Sequence, residues 1–214
     1  MTILYTLLNN SYIDIANLSS TINTSVYINI TNRCCCHCTF CLRQTKEMIE
    51  SNSLWLKKEP TTKDVITELQ KYSISNFKEI VFCGFGEPLT RINEVITIAK
   101  YIKEVSPTLP IRVNTNGLSS KTHNQDITPL LEGLIDTISI SLNAPTKEEY
   151  YKLTQSIYGI DSFDEMLDFT KRCKKYIPTV IMSVVDIIGE DKIKASQKIC
   201  DDLHVILKVR PFEE

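Results

Sequence analysis

From residue 25 onward the chain alternates short β-prone runs with longer stretches of helical periodicity, a pattern that restricts it to α/β folds built on parallel strands. The β-rich runs are Ser25–Ile30, Glu79–Cys83, Ile111–Asn114, Thr137–Leu142, Thr179–Val185 and Val205–Val209. Between them, Thr61 is placed to cap a helix over Thr62–Lys71 with Asp64 in its first turn, and Ile92, Val95, Ile96, Ala99 and Ile102 trace one apolar helix face. Further helices are expected over Lys147–Thr154, Ser162–Tyr176 and Asp191–Leu203, while Pro110 and Pro178 precede strands rather than interrupt helices. Ahead of these six βα units, residues 3–15 carry Asn9-Asn10-Ser11 between two β-prone runs, so residues 1–24 read as an added N-terminal β-hairpin extension.

Alternation within the strands narrows the architecture. Val26, Ile28 and Ile30 oppose Tyr27 and Asn29; Ile138, Ile140 and Leu142 oppose Ser139, Ser141 and Asn143. Arg112 and Asn114 alternate with Ile111 and Val113, as Lys208 and Arg210 do with Leu207 and Val209. A parallel sheet covered on both faces would read as nearly continuous apolar strands. One polar face on successive strands instead predicts an open or partial barrel, with helices outside and a polar inner surface that holds a ligand.

With 214 residues and 43% hydrophobic content, and with no linker or repeat, the chain is expected to form a single domain over residues 1–214. Its 24 basic and 26 acidic residues give a net charge of -2 without a basic cluster, which favours a small-molecule substrate over nucleic acid. The opening residues lack a basic n-region, and no apolar run approaches the roughly 20 residues needed to cross a bilayer, so the expectation is a soluble, cytoplasmic protein without membrane association.

Such a compartment keeps thiols reduced, which sets a disulfide framework aside for the eight cysteines. Cys83, Cys173 and Cys200 are scattered in apolar patterns and read as small buried residues. The others crowd into Cys34-Cys35-Cys36-His37-Cys38-Thr39-Phe40-Cys41 directly after the first strand of the alternating pattern. Within that run, Cys34, Cys38 and Cys41 have C-x3-C-x2-C spacing. Three thiolates on one short loop suit three irons of a cubane and leave the fourth iron without a protein ligand. Cys35, Cys36 and His37 keep a zinc site open, although no second ligand pair of the usual spacing appears.

The motif Cys34, Cys38, Phe40, Cys41 resembles the C-x3-C-x-aromatic-C signature of the radical S-adenosylmethionine superfamily. After the second strand, Cys83-Gly84-Phe85-Gly86-Glu87-Pro88 resembles that superfamily's Gly-Gly-Glu-Pro element, with Phe85 in place of its first glycine. The resemblance implies a partial (β/α)6 TIM-like barrel, a 4Fe-4S cluster on Cys34, Cys38 and Cys41, and S-adenosylmethionine as cofactor. It also implies cofactor contacts from Phe40, Gly84, Gly86, Glu87, Asn114, Thr115, Ser141, Asn143 and Val185. Glu87 would accept hydrogen bonds from the methionyl ammonium. An electron donor such as flavodoxin or ferredoxin would complete the system.

A closer resemblance joins the chain to the short TatD-associated radical enzymes through Val26-Tyr27-Ile28-Asn29-Ile30-Thr31-Asn32-Arg33-Cys34, Phe82-Cys83-Gly84-Phe85-Gly86-Glu87-Pro88 and Arg210-Pro211-Phe212. Some members of that group are queuine lyases, which cleave a carbon–nitrogen bond of queuine to release 7-aminomethyl-7-deazaguanine. A deazaguanine ring needs an acceptor, a donor and an apolar platform. Glu59 or Glu47 would serve as acceptor, Arg43, Arg112 or Arg210 as donor and Trp55 as platform, with Asn29 and Ser139 on the polar strand face. The alternatives are an enzyme that forms the 7-deazaguanine ring, a glycyl-radical activase, or a non-catalytic zinc or iron-sulfur redox module.

Overall fold

The computed structural model describes residues 2–9, 11–45 and 54–212. In chain order its strands and α-helices are β1 (Leu4–Leu8), β2 (Ser11–Asp14), β3 (Ser25–Ile28), α1 (Leu42–Thr45), α2 (Thr62–Leu69), β4 (Glu79–Phe82), α3 (Ile92–Val105), β5 (Ile111–Thr115), α4 (Ser119–Thr122), β6 (Thr137–Ser141), α5 (Lys147–Thr154), α6 (Ser162–Cys173), β7 (Thr179–Val185), α7 (Glu190–Leu203) and β8 (Ile206–Arg210). The six strands expected from the alternation are present as β3 to β8, in α/β order. Among the described residues, no helix is long and apolar enough to cross a membrane.

The chain forms two compact units, Met1–Arg33 with Met48–Asn114 and Gly133–Asp136, and Cys34–Glu47 with Thr115–Glu132 and Thr137–Glu214. In the first, β1 and β2 make the expected antiparallel hairpin, and β1 pairs antiparallel with β3; Asn10 of the expected turn lies outside the described residues. From β3 the ladder is parallel, to β4 and then to β5. α2 starts as the sequence dictates: Asp64 donates its amide to Thr61 Oγ1 at 3.1 Å while Thr61 donates its own to Asp64 Oδ2 at 2.8 Å, so two orphan amides of the first turn are satisfied. On α3 the buried stripe is Ile92, Val95, Ile98, Ala99 and Ile102, so Ile98 takes the place expected for Ile96, which is only half-buried.

Two charged groups fasten the first unit. Arg91 is nine-tenths buried and donates to the carbonyls of Ile30 at 2.7 Å and Pro60 at 2.8 Å, with Glu94 at 3.0 Å. It therefore ties the segment after β3, the segment before α2 and the start of α3 to one point. Between β4 and β5, Arg112 pairs in bidentate fashion with Glu79, Nε to Oε2 at 3.1 Å and Nη2 to Oε1 at 2.9 Å. Burial pushes the Glu79 carboxyl up, but the hydrogen bonds and charge of Arg112 outweigh it and hold the group below its usual range.

In the second unit β6, β7 and β8 run parallel. β6 and β7 are buried through Ile138, Ile140, Met182 and Val184, whereas Ile206 and Val209 of β8 stay exposed. Val209 was expected on the apolar, helix-covered face; on β8, which pairs with β7, Leu207 and Arg210 are half-buried while Val209 is exposed.

Replacing Arg91 with Met should cost about 3 kcal/mol in urea unfolding, because two buried carbonyls lose a charged donor. Glu79 has a depressed folded-state pKa, so its contribution is present above the unfolded carboxyl value of about 4.3 and is lost as pH falls through the folded value. Glu79→Gln should therefore flatten the acid limb of the stability profile, and an unchanged slope below about pH 4.3 would refute this.

Candidate functional site

The cysteine loop is laced to the end of α5. The last carbonyls of a helix have no partner inside it, and here the loop supplies them: His37 donates its amide to Thr154 O and Thr39 to Leu153 O, both at 2.9 Å. Gln155 then adopts a left-handed cap, with φ at 45°, and the returning chain donates from Ile157 to Cys35 O at 3.0 Å. Cys41 N to Cys38 O at 3.1 Å and Gln44 N to Cys41 O at 2.7 Å turn the loop into α1. Backbone hydrogen bonds thus hold the loop at Cys35, His37, Cys38, Thr39 and Cys41.

Exposure divides them. Cys34, Cys38 and Cys41 are partly exposed, while Cys35 and Cys36 are 6% and 2% exposed. Hydrogen bonding from the neighbouring Cys35 and Cys36 thiols pulls the Cys34 pKa far down, and the same contacts, led by Cys34, push Cys36 up. Asn116 Nδ2 lies 3.7, 3.3 and 3.8 Å from the sulfurs of Cys34, Cys35 and Cys36. Among the described residues no three His, Cys, Asp or Glu side chains form a site for a single metal ion; a cubane takes one thiolate per iron and does not require such convergence. The donor set suits a thiolate-held cluster, as does the hydroxyl of Tyr150, which is buried without a partner among the described residues.

In the first unit, the turn after β4 lies against the backbone that leads into Cys34. A Cβ on Gly86 would stand 2.4 Å from Thr31 O and 2.7 Å from Arg33 O, and Glu87 donates its amide to Arg33 O at 2.8 Å. Only glycine permits that approach. Glu87 is 3% exposed, and its Oε1 accepts from Leu89 N at 3.0 Å, capping the short 3-10 turn Pro88–Arg91. Gly84 serves a different purpose, since a Cβ there would meet Asn29 Oδ1 at 2.1 Å. Its space is taken by Asn29, a side chain of this protein, rather than by a ligand. Asn29 is wholly buried and donates to Leu54 O at 2.6 Å, and its Oδ1 has no partner among the described residues.

Two residues expected to contact substrate have partners within the protein. Arg112 gives Nε and Nη2 to Glu79 and Nη1 to Asn114 Oδ1 at 2.9 Å. Glu59 takes Arg33 in bidentate fashion at 3.0 and 2.9 Å and accepts from Thr31 Oγ1, which fastens the segment after β3. Burial raises the Glu59 pKa, and Thr31 with Arg33 bring it net below its usual value. Trp55 is 53% exposed, its ring 6.1 Å from that of Phe85, an arrangement closer to a platform than to a core anchor. Glu47 lies outside the described residues.

The second unit carries the remaining candidates. Thr115 is buried and its Oγ1 accepts from Gly117 N at 3.1 Å. Ser141 is half-buried at the end of β6; Ser139 and Asn143 are buried, with Asn143 at a positive φ of 61° and its Oδ1 without a partner among the described residues. Val185 is buried at the end of β7, and Arg43 and Arg210 are half-buried. A cavity of about 290 Å³ opens beside the cysteine loop, with Phe40, Leu153, Ile187, Ile188 and Phe212 among its walls and Lys152 at its edge. Phe212 donates its amide to Asp186 Oδ1 at 2.9 Å, which fastens the Arg-Pro-Phe segment against this cavity. Sequence reasoning missed Asn116 and Tyr150: Asn116 offered only its place two residues after Asn114, and Tyr150 looked like any core residue of an amphipathic helix.

The family model of the radical SAM superfamily matches residues 28–197. A protein of Thermococcus kodakarensis described as a probable GTP 3',8-cyclase is 24% identical over 166 residues, covering 78% of this chain and 48% of that protein. The chain thus spans about half the length of this curated relative. Among solved structures, Streptococcus suis SuiB bound to S-adenosylmethionine superposes with a TM-score of 0.66 at 15% identity, covering 91% of this chain and 40% of that one. A radical SAM methyltransferase from Sphaerobacter thermophilus gives a TM-score of 0.64 at 16% identity over 88% of this chain and 55% of that one. The fold is the α/β fold of these structures, in keeping with the expected partial barrel.

Gly84→Ala should lower stability by about 2 kcal/mol through overpacking against Asn29. Adding Asn29→Ala should recover at least about 1 kcal/mol of that loss in a double-mutant cycle, whereas simple additivity would show that the two residues do not share the space.

Proposed function

The chain belongs to the radical SAM superfamily, and from that premise we propose that it is an enzyme that cleaves S-adenosylmethionine reductively to act on a small guanine-type substrate, with queuine lyase as its specific activity. The cofactors are a 4Fe-4S cluster and S-adenosylmethionine. The observation that carries the enzymatic reading is the Cys34–Cys41 loop, in which Cys34, Cys38 and Cys41 are the accessible thiols. When bound, cluster and cofactor together supply a 5'-deoxyadenosyl radical, which abstracts a substrate hydrogen.

The protein's share is binding, orientation and exclusion of water. Cys34, Cys38 and Cys41 would hold the cluster, with S-adenosylmethionine as its partner cofactor. Glu87, held at the Gly86 turn, accepts from its ammonium, and Asn114, Thr115, Ser141 and Asn143 provide polar contacts at strand ends. Phe40 and Val185 flank the adenine, and the apolar walls of the cavity beside Phe40 suit a flat heteroaromatic ring. In this reading Arg43, Arg210, Asn29 and Ser139 contact the substrate, with Trp55 as platform. An electron donor of the flavodoxin or ferredoxin kind supplies the electron.

The queuine reading is supported by the three segments shared with the TatD-associated enzymes, 26–34, 82–88 and 210–212. A second reading, cyclisation of GTP, is favoured by the curated relative, and the two substrates share a guanine-type pairing edge. Anaerobically reconstituted, reduced protein given S-adenosylmethionine with queuine should yield 5'-deoxyadenosine and 7-aminomethyl-7-deazaguanine by mass spectrometry. Turnover of GTP in place of queuine would replace the first reading by the second, and no 5'-deoxyadenosine with either would sink both. Serine at Cys34, Cys38 or Cys41 should abolish cluster binding, whereas Cys35→Ser should retain about four irons per chain.

A further inference from the structure

Tyr150 stands in α5 one helical turn before Thr154, whose carbonyl receives the amide of His37. Its side chain is fully buried, lies edge-on to Phe163 with ring centroids 5.6 Å apart, and its hydroxyl has no hydrogen-bond partner among the described residues. A buried hydroxyl left unpaired costs about 1–3 kcal/mol, and such a group calls for a partner that arrives from outside the polypeptide. A phenol hydroxyl can donate one hydrogen bond, and this one belongs to the helix whose last carbonyls hold the cysteine loop.

A second donor comes from the loop after β5. Asn116 Oδ1 accepts from Leu118 N at 2.9 Å, which fixes the orientation of the amide and turns Nδ2 to the sulfurs of Cys34, Cys35 and Cys36. The loop is stiff at this point. Thr115 Oγ1 accepts from Gly117 N at 3.1 Å, and a Cβ on Gly117, which has φ at 78°, would press on Ile140 and Met166 at 3.0 and 3.1 Å.

We propose that Asn116 and Tyr150 are positioning residues that donate hydrogen bonds to the sulfur atoms of the cluster carried by the Cys34–Cys41 loop and so hold its reduction potential up. This rests on the cluster-binding function proposed above. Reduction adds negative charge to the cluster, charge strengthens a hydrogen bond to sulfur, and donors of this kind therefore favour the reduced form from which the electron is delivered.

Tyr150→Phe is the first test, because it removes only the oxygen. The apoprotein should be as stable as wild type or more so in urea. The loaded variant should keep about four irons while its midpoint, from a redox titration followed by electron paramagnetic resonance, moves negative by about 59 mV, a tenfold change for one electron. An unchanged midpoint, or an apoprotein weakened as by loss of an internal hydrogen bond, would overturn the role of Tyr150. For Asn116, wild-type protein carrying 15N in its asparagine side-chain amides should show a weak nitrogen coupling to the reduced cluster that is lost in Asn116→Ala. Absence of that coupling in the wild type overturns the role of Asn116 whether or not the variant folds. Wild-type protein that binds no iron would overturn the cluster-binding function itself, and iron analysis separates that failure from the others.

Discussion

The carbonyls at the C-terminal end of α5 have no partners within the helix, and the cysteine loop is the element that satisfies them. Thr154 and Leu153 receive the amides of His37 and Thr39, so the loop cannot shift without exposing buried backbone acceptors. The left-handed cap at Gln155 brings the chain back to hold Cys35 from its other side. Which thiols face outward, which are buried and how Tyr150 lies with respect to them all follow from this helix end.

Backbone approach governs the first unit as well. Gly86 lies against the carbonyls of Thr31 and Arg33, and the same short segment is gripped by Glu59 through both Thr31 and Arg33. Charged groups here do structural work: Glu59 pairs with Arg33, Glu79 with Arg112, and Arg91 donates to backbone carbonyls. A buried or half-buried charge needs a partner, and in a chain of nearly balanced charge that partner is available from within. Arg112 and Glu59, charged residues that looked like substrate contacts, are for this reason partnered within the fold.

The family could be read from the sequence because its determinants are local. Cys34, Cys38, Phe40 and Cys41 fall within eight consecutive residues, the Gly86-Glu87 turn follows a strand, and six β-prone runs alternating with helical stretches implied the α/β fold. Capping by Thr61 and Asp64 was equally local, since both partners lie within one turn. Partners distant in sequence were not legible. The glutamate that takes Arg112 lies 33 positions away, and Glu59 reaches back 26 positions to Arg33.

By itself, then, the sequence determined the order of strands and helices, the spacing of the thiols and the glycine turn, because each depends on neighbours a few residues apart. Tertiary structure alone decided that Cys35 and Cys36 are buried, that Arg112 and Glu59 are already engaged, that Asn116 Nδ2 lies at the sulfurs of Cys34, Cys35 and Cys36, and that the Tyr150 hydroxyl is buried. Those outcomes depend on which distant groups meet and which polar atoms lose their water. Periodicity and spacing carry no record of either.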